Sequence, residues 1–189
     1  MKIGLYFGSF NPVHCGHLII AKHVLNDTDL KQVWMVVSPQ NPFKKTGSLL
    51  NEFARLHLIQ TAIDGEYNLK ASKVEFDLPK PSYTSDTLAY LTEKYPIHEF
   101  AIIMGSDSFS NISKWKNYNV IITNHKLYIY KRTGFEIENS IDANIEILNA
   151  PLLEISSTYI RNLIKEGKSI RYLLPDNVME EIANNNYYK

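Results

Sequence analysis

The chain has 189 residues, 44% of them apolar, and its 20 basic and 20 acidic side chains leave a formal charge of zero. That length favours a single domain over residues 1–189 with a sizeable core. The balanced charge points to neither a nucleic-acid partner nor a membrane surface. One cysteine, Cys15, excludes an intrachain disulfide and a thiolate metal cluster, and suits a reducing, cytoplasmic setting.

The N-terminal apolar run is too short for a signal-peptide core. No stretch approaches the roughly 18 apolar residues of a membrane helix. Residues 3–7, "IGLYF", form a continuous apolar run ending at Gly8, as expected of a buried parallel strand. The loop "GSFNPVHCGH" follows, then helical spacing through Leu18, Ile19, Ala21, Val24 and Leu25. "QVWMVV" predicts a second strand, and the proline- and glycine-bearing "SPQNPFKKTGS" an irregular loop. Asn51 reads as the N-cap of a helix over 52–63. "YNLKASKVEF" reads as extended, and "SDTLAYLTEKY" as a helix stopping before Pro96. "FAIIMG", "KLYIYKR" and "IEIL" predict three more strands. A C-terminal helical part over about 156–189 contains "SSTYIRNLIKEG", stopped at Gly167, and "PDNVMEEIANN", with Pro175 as its first helical residue. The tail "NNNYYK" reads as a fraying terminus.

Alternating strands and helices argue for an α/β fold, a doubly wound, Rossmann-like parallel sheet with right-handed crossovers. Ligands of such sheets bind beyond the carboxyl ends of the strands. The informative loops are therefore those after Phe7, Val37, Met104 and Leu148.

In the first loop, Gly8 and Ser9 permit close backbone approach, and His14 and His17 share one face of a helix's first turn. A helix N-terminus disfavours protonated histidines unless an anion joins them, and a phosphate would reconcile all three. A metal-binding pair lacks the accompanying cysteines or HExxH pattern. Either histidine alone would read as half-buried and bonded to backbone.

The string "ISSTYIR", residues 155–161, raises the same question. Ser156, Ser157 and Thr158 are natural N-caps, yet Arg161 near the first turn opposes the helix dipole. A bound phosphate, held by hydroxyls, amides and the arginine fork, turns that cost into a gain. Lys44 and Lys45 read as a solvated pair or a ligand contact at a strand end. Arg55 reads as a surface arginine on its helix. Asp107 is a candidate N-cap or ribose acceptor, Trp115 a core residue or a stacking platform, and Ser82 and Thr84 caps or ligand contacts.

With these residues in view, the chain resembles the nucleotidyltransferases of the HxGH/ISSTxxR type. "NPFKK", "SYTSDTL" and "MGSDSFSNISKW", in that order, make it similar to the bacterial nicotinate mononucleotide adenylyltransferase family. The resemblance implies adenylyl transfer from ATP to nicotinate mononucleotide, with Mg²⁺ carried mainly by the ATP phosphates and no metal site of the protein's own. It implies His14, His17 and Arg161 as catalytic residues on the phosphates. Gly8, Ser9, Phe10, Gly16, Gly105, Asp107, Ile155, Ser156 and Ser157 would line the ATP side. Asn11, Lys44, Ser82, Tyr83, Thr84 and Trp115 would line the substrate side, with the nicotinate carboxylate near Thr84 and the pyridine ring on Trp115. Three positions depart from the common pattern: Asn11 for aspartate, Phe43 for histidine, and Leu78-Pro79-Lys80 for Arg-Gly-Gly. A homo-oligomer is compatible with the sequence, which carries no signal for or against one.

Overall fold

A computed structural model of the chain describes residues 1–39 and 49–189. The expectations for Phe43, Lys44 and Lys45 lie outside the described residues. Six strands, β1 (Lys2–Gly8), β2 (Gln32–Val37), β3 (Leu69–Ser72), β4 (Glu99–Gly105), β5 (Leu127–Tyr130) and β6 (Ile145–Leu148), form one sheet in the order β3-β2-β1-β4-β5-β6. Every pairing is parallel. The order reverses between β1 and β4, the switch point where doubly wound sheets place ligands.

Among the described residues seven α-helices accompany the strands: α1 (Cys15–Asp27), α2 (Glu52–Ala62), α3 (Thr84–Lys94), the single turn α4 (Ser106–Phe109), α5 (Tyr118–Asn124) and, after the last strand, α6 (Ser157–Lys165) and α7 (Asp176–Asn184). The central strands are apolar on both faces because each face is covered. Tyr6, Val33, Met35, Ile103 and Tyr128 pack on one side with residues of α1, α2, α6 and α7. Leu5, Trp34, Ile102, Met104 and Ile129 pack on the other with residues of α3 and α5.

Asn51 caps α2 as expected, its Oδ1 accepting from Phe53 N–H at 2.9 Å. Ser156 caps α6 in the same way through Tyr159 N–H at 3.2 Å, and Gly167 takes a φ of +66° after it. Pro175 is the N-cap of α7 rather than its first helical residue.

Three expectations need correcting. The "YNLKASKVEF" segment is extended only over β3, then turns into a 3₁₀ helix, Val74–Asp77. That turn buries Glu75 and sets the Phe76 ring 5.1 Å from Phe53. The C-terminal tail does not fray: Tyr187 and Tyr188 pack against the core. Arg55 is not on the surface, because its side chain is fully buried.

Candidate active site

The loop after β1 is held open by small residues. A Cβ on Gly8 would lie 2.9 Å from the Phe10 ring, and one on Gly16 would lie 3.0 Å from His14 Nδ1. Glycine at both positions lets two rings press against backbone. Phe10 takes a left-handed φ of 45°, is buried, and packs edge-on to His17 at 4.9 Å.

His14 and His17 stack with ring centroids 3.7 Å apart. The His14 N–H donates to His17 Nδ1 at 3.2 Å. Neutral His17 therefore carries its proton on Nε2. His14 is 5% exposed, and its Nδ1 finds no hydrogen-bond partner among the described residues. Burial, then the Arg132 charge, lowers its pKa to about 4. His14 is thus neutral near pH 7, which removes its conflict with the helix dipole.

This makes the fold acid-sensitive. An unfolded histidine titrates near 6.5, so the unfolded chain takes the proton first as pH falls. The His14 contribution is full above about pH 6.5 and is lost progressively towards pH 4, by roughly 3 kcal/mol. Urea midpoints at pH 7.5 and 4.5 should differ less in His14→Gln than in wild type. Equal differences would refute the assignment.

Residues far along the chain close the loop. Ser157 Oγ donates to Pro12 O at 2.8 Å, and Arg161 Nη1 donates to Asn11 O at 2.7 Å. Asn11 Oδ1 accepts from Leu50 N–H at 3.1 Å, tying the first loop to the start of α2. Arg55 donates to four carbonyls: Leu50 at 2.8 Å, Ser9 at 2.6 Å, Ser38 at 2.9 Å and Pro39 at 3.1 Å. It thereby fixes the loops after β1 and β2 to each other from inside. Burial works against its charge, and the carbonyl oxygens compensate.

Together these segments enclose a cavity of about 390 Å³ at the switch point. Of the expected residues, Gly8, Ser9, Phe10, Asn11, His14, His17, Asp107, Ile155, Ser156, Ser157 and Arg161 line it. Gly16 lines a smaller recess behind the histidines. Gly105 ends β4 beside Tyr130, where a Cβ would collide with Asp107 Oδ1.

Arg132 also lines the cavity, paired with Asp107 at 3.3 Å. Sequence reasoning missed it. Its position just beyond the carboxyl end of β5 was the signal.

Among the described residues, the expected Ser82, Tyr83, Thr84 and Trp115 do not line that cavity. Tyr83 is the N-cap of α3 and offers no side-chain cap. Lys116, next to Trp115, pairs with Asp86 at 2.9 Å and lies 4.8 Å over the Tyr83 ring. Thr84 and Trp115 are thus brought into adjacent segments, with Trp115 half-buried against the core. The Ser82 hydroxyl is buried and donates to Glu75 Oε2 at 2.7 Å, so its proton is already engaged.

Among the described residues no helix is long and apolar enough to cross a membrane. No group of three or more His, Cys, Asp or Glu is gathered to hold a metal ion among those residues.

Comparison with known proteins supplies the family. Residues 5–163 match the cytidylyltransferase-like family. A Flavobacterium johnsoniae protein named "Probable nicotinate-nucleotide adenylyltransferase" is 52% identical, with 100% of both chains covered. A Bacteroides fragilis protein of the same name is 41% identical over 96% of this chain and 90% of its own. The solved Plasmodium falciparum nicotinic acid mononucleotide adenylyltransferase complexed with NaAD superposes with a TM-score of 0.85 at 21% identity, covering 99% of this chain and 97% of that one. The histidines and the arginine that the fold draws to one strand-end cavity thus sit in a chain that belongs to the cytidylyltransferase-like family, among its nicotinate-nucleotide adenylyltransferases.

Proposed function

We propose that this enzyme transfers the adenylyl group of ATP to nicotinate mononucleotide, releasing pyrophosphate and forming nicotinic acid adenine dinucleotide. One observation carries the reading: His14, His17, Ser156, Ser157 and Arg161 converge on a single cavity at the sheet's switch point. The reading takes residues 1–189 as one nucleotidyltransferase unit and, on its single cysteine, places it in the cytoplasm.

The attacking group is a phosphate oxygen of the mononucleotide, already ionised at neutral pH, so the protein needs no general base. Its work is alignment and charge stabilisation at the α-phosphate of ATP. His17 Nε2–H is a preset donor, fixed in that tautomer by the His14 amide. Arg161 is held by Asn11 O and by Thr158 Oγ1 at 3.2 Å, which orients its fork at the cavity rim. Arg132 adds positive charge to the lining. On this reading Gly8, Ser9, Phe10 and Gly16 shape the floor, while Gly105, Asp107 and Ile155 flank the adenosine. Mg²⁺ would be carried by the ATP phosphates and would supply charge neutralisation there.

The test is pyrophosphate release with ATP and Mg²⁺ on nicotinate mononucleotide, nicotinamide mononucleotide and phosphopantetheine in parallel. Turnover strongest on the nicotinate compound is expected. An amide presents N–H₂ donors to a site whose own groups are donors, leaving polar groups unpaired. Turnover confined to phosphopantetheine would move the chain to a sister activity and overturn the proposal.

A further inference from the structure

Glu75 is 2% exposed, yet among the described residues no lysine or arginine pairs with it. Its two oxygens accept from Ser82 Oγ at 2.7 Å and Thr87 Oγ1 at 2.9 Å. The Ser38 hydroxyl is a third partner, and burial pushes the carboxyl upwards. A buried carboxylate held by hydroxyls is a costly way to hold a fold together, and an apolar side chain of similar size often serves stability as well or better. What the group does have is reach. Ser38 follows β2 and donates its N–H to Gly8 O at 3.0 Å, at the wall of the cavity. Ser82 precedes α3, and Thr87 lies in its first turn. One carboxylate thus links the carboxyl end of β2 to both sides of the α3 N-terminus.

That N-terminus has a particular state. Tyr83 gives no side-chain cap, and the Tyr83 carbonyl already takes the Asp86 and Thr87 amides. The Thr84 and Ser85 amides, first in the helix, depend on partners outside it. The neighbouring hydroxyls of Ser82 and Thr87 are turned inwards to Glu75.

We infer that Glu75 is a positioning residue for the mononucleotide: by drawing Ser82, Thr87 and Ser38 together, it fixes the first turn of α3 so that backbone amides, not the Ser82 hydroxyl, face the substrate's carboxylate. The inference rests on the proposed reading of the Thr84 and Trp115 region as the pyridine side. Glu75 itself touches no substrate. Its loss acts through the segment it holds, and therefore on one substrate only.

The experiment is steady-state kinetics of the whole enzyme with each substrate varied in turn. Glu75→Ala is expected to raise the KM for nicotinate mononucleotide about tenfold, with kcat and the ATP KM within about threefold. The preference for nicotinate over nicotinamide mononucleotide, as a ratio of kcat/KM, should fall by a similar factor. Glu75→Gln should recover most of both, because its oxygen still accepts and a hydroxyl can turn to accept its N–H. Equal rises in both KM values, or a fall in kcat alone, would overturn the inference while leaving the proposed reaction standing. If Glu75→Ala does not fold, Thr87→Val removes one donor at constant shape. A rise of about threefold in the mononucleotide KM alone supports the inference, and no rise overturns it. Wild-type silence on nicotinate mononucleotide would overturn the proposed reaction first and this inference with it.

Discussion

Replacing Arg55 with alanine is expected to cost about 4 kcal/mol of stability, a large share of what a chain this size has. The change leaves the carbonyls of Ser9, Ser38, Pro39 and Leu50 without their donor and opens a cavity where a fully buried side chain stood. Arg55→Lys keeps the charge but has no planar fork to span four acceptors, so it should fall between the two. Urea unfolding reads the result directly. A loss below about 1 kcal/mol for Arg55→Ala would mean that water or neighbouring groups replace all four bonds. Because those carbonyls belong to the loops after β1 and β2, folded Arg55→Lys should also lose activity.

The second large effect is on rate. His17→Ala should lower kcat by about 10²–10³-fold, the loss typical of one donor on developing oxyanion charge, with a smaller change in the ATP KM. The fold should tolerate the change better than at Arg55, since His17 lines the cavity rather than filling the sheet interior. Single-turnover adenylyl transfer separates this from slowed product release. Turnover within about threefold of wild type would remove His17 from the reacting centre.

How much of this was legible in the sequence differs by kind of residue. The histidine loop and "ISSTYIR" were readable because each sits at the start of a helix, where local sequence decides which amides and side chains face outwards. The strands were readable because β1, β2 and β4 each run apolar after one polar first residue, as covered parallel strands must. Arg55 was not, because four carbonyls from three chain segments make its burial affordable, and no local pattern announces them. A trace was present: Arg55, Leu58 and Ile59 occupy i, i+3 and i+4, the inward stripe of α2. The tyrosines at 187 and 188 were misjudged for the opposite reason. Their asparagine-rich surroundings suggest disorder, but two aromatic rings reaching an apolar cluster outweigh a polar run. Ser82 reads as a helix cap or a ligand contact, and only the 3₁₀ turn, by bringing in the Glu75 carboxylate, shows where its hydroxyl goes.

The closure of the first loop also has a temporal side. The Pro12 and Asn11 carbonyls accept from residues 145 and 150 positions further on, and the Cys15 amide at the head of α1 donates to Leu173 O at 2.9 Å. A ribosome releases the chain N-terminus first, so the histidine segment emerges long before the residues that fasten it. Contacts of such sequence separation are also the slowest to form in a free chain. The growing polypeptide therefore carries its histidine loop unfastened while cellular ATP surrounds it. On the proposed reading, nucleotide grip belongs to the finished molecule, complete only once α6 and the segment leading to α7 are docked against the first loop.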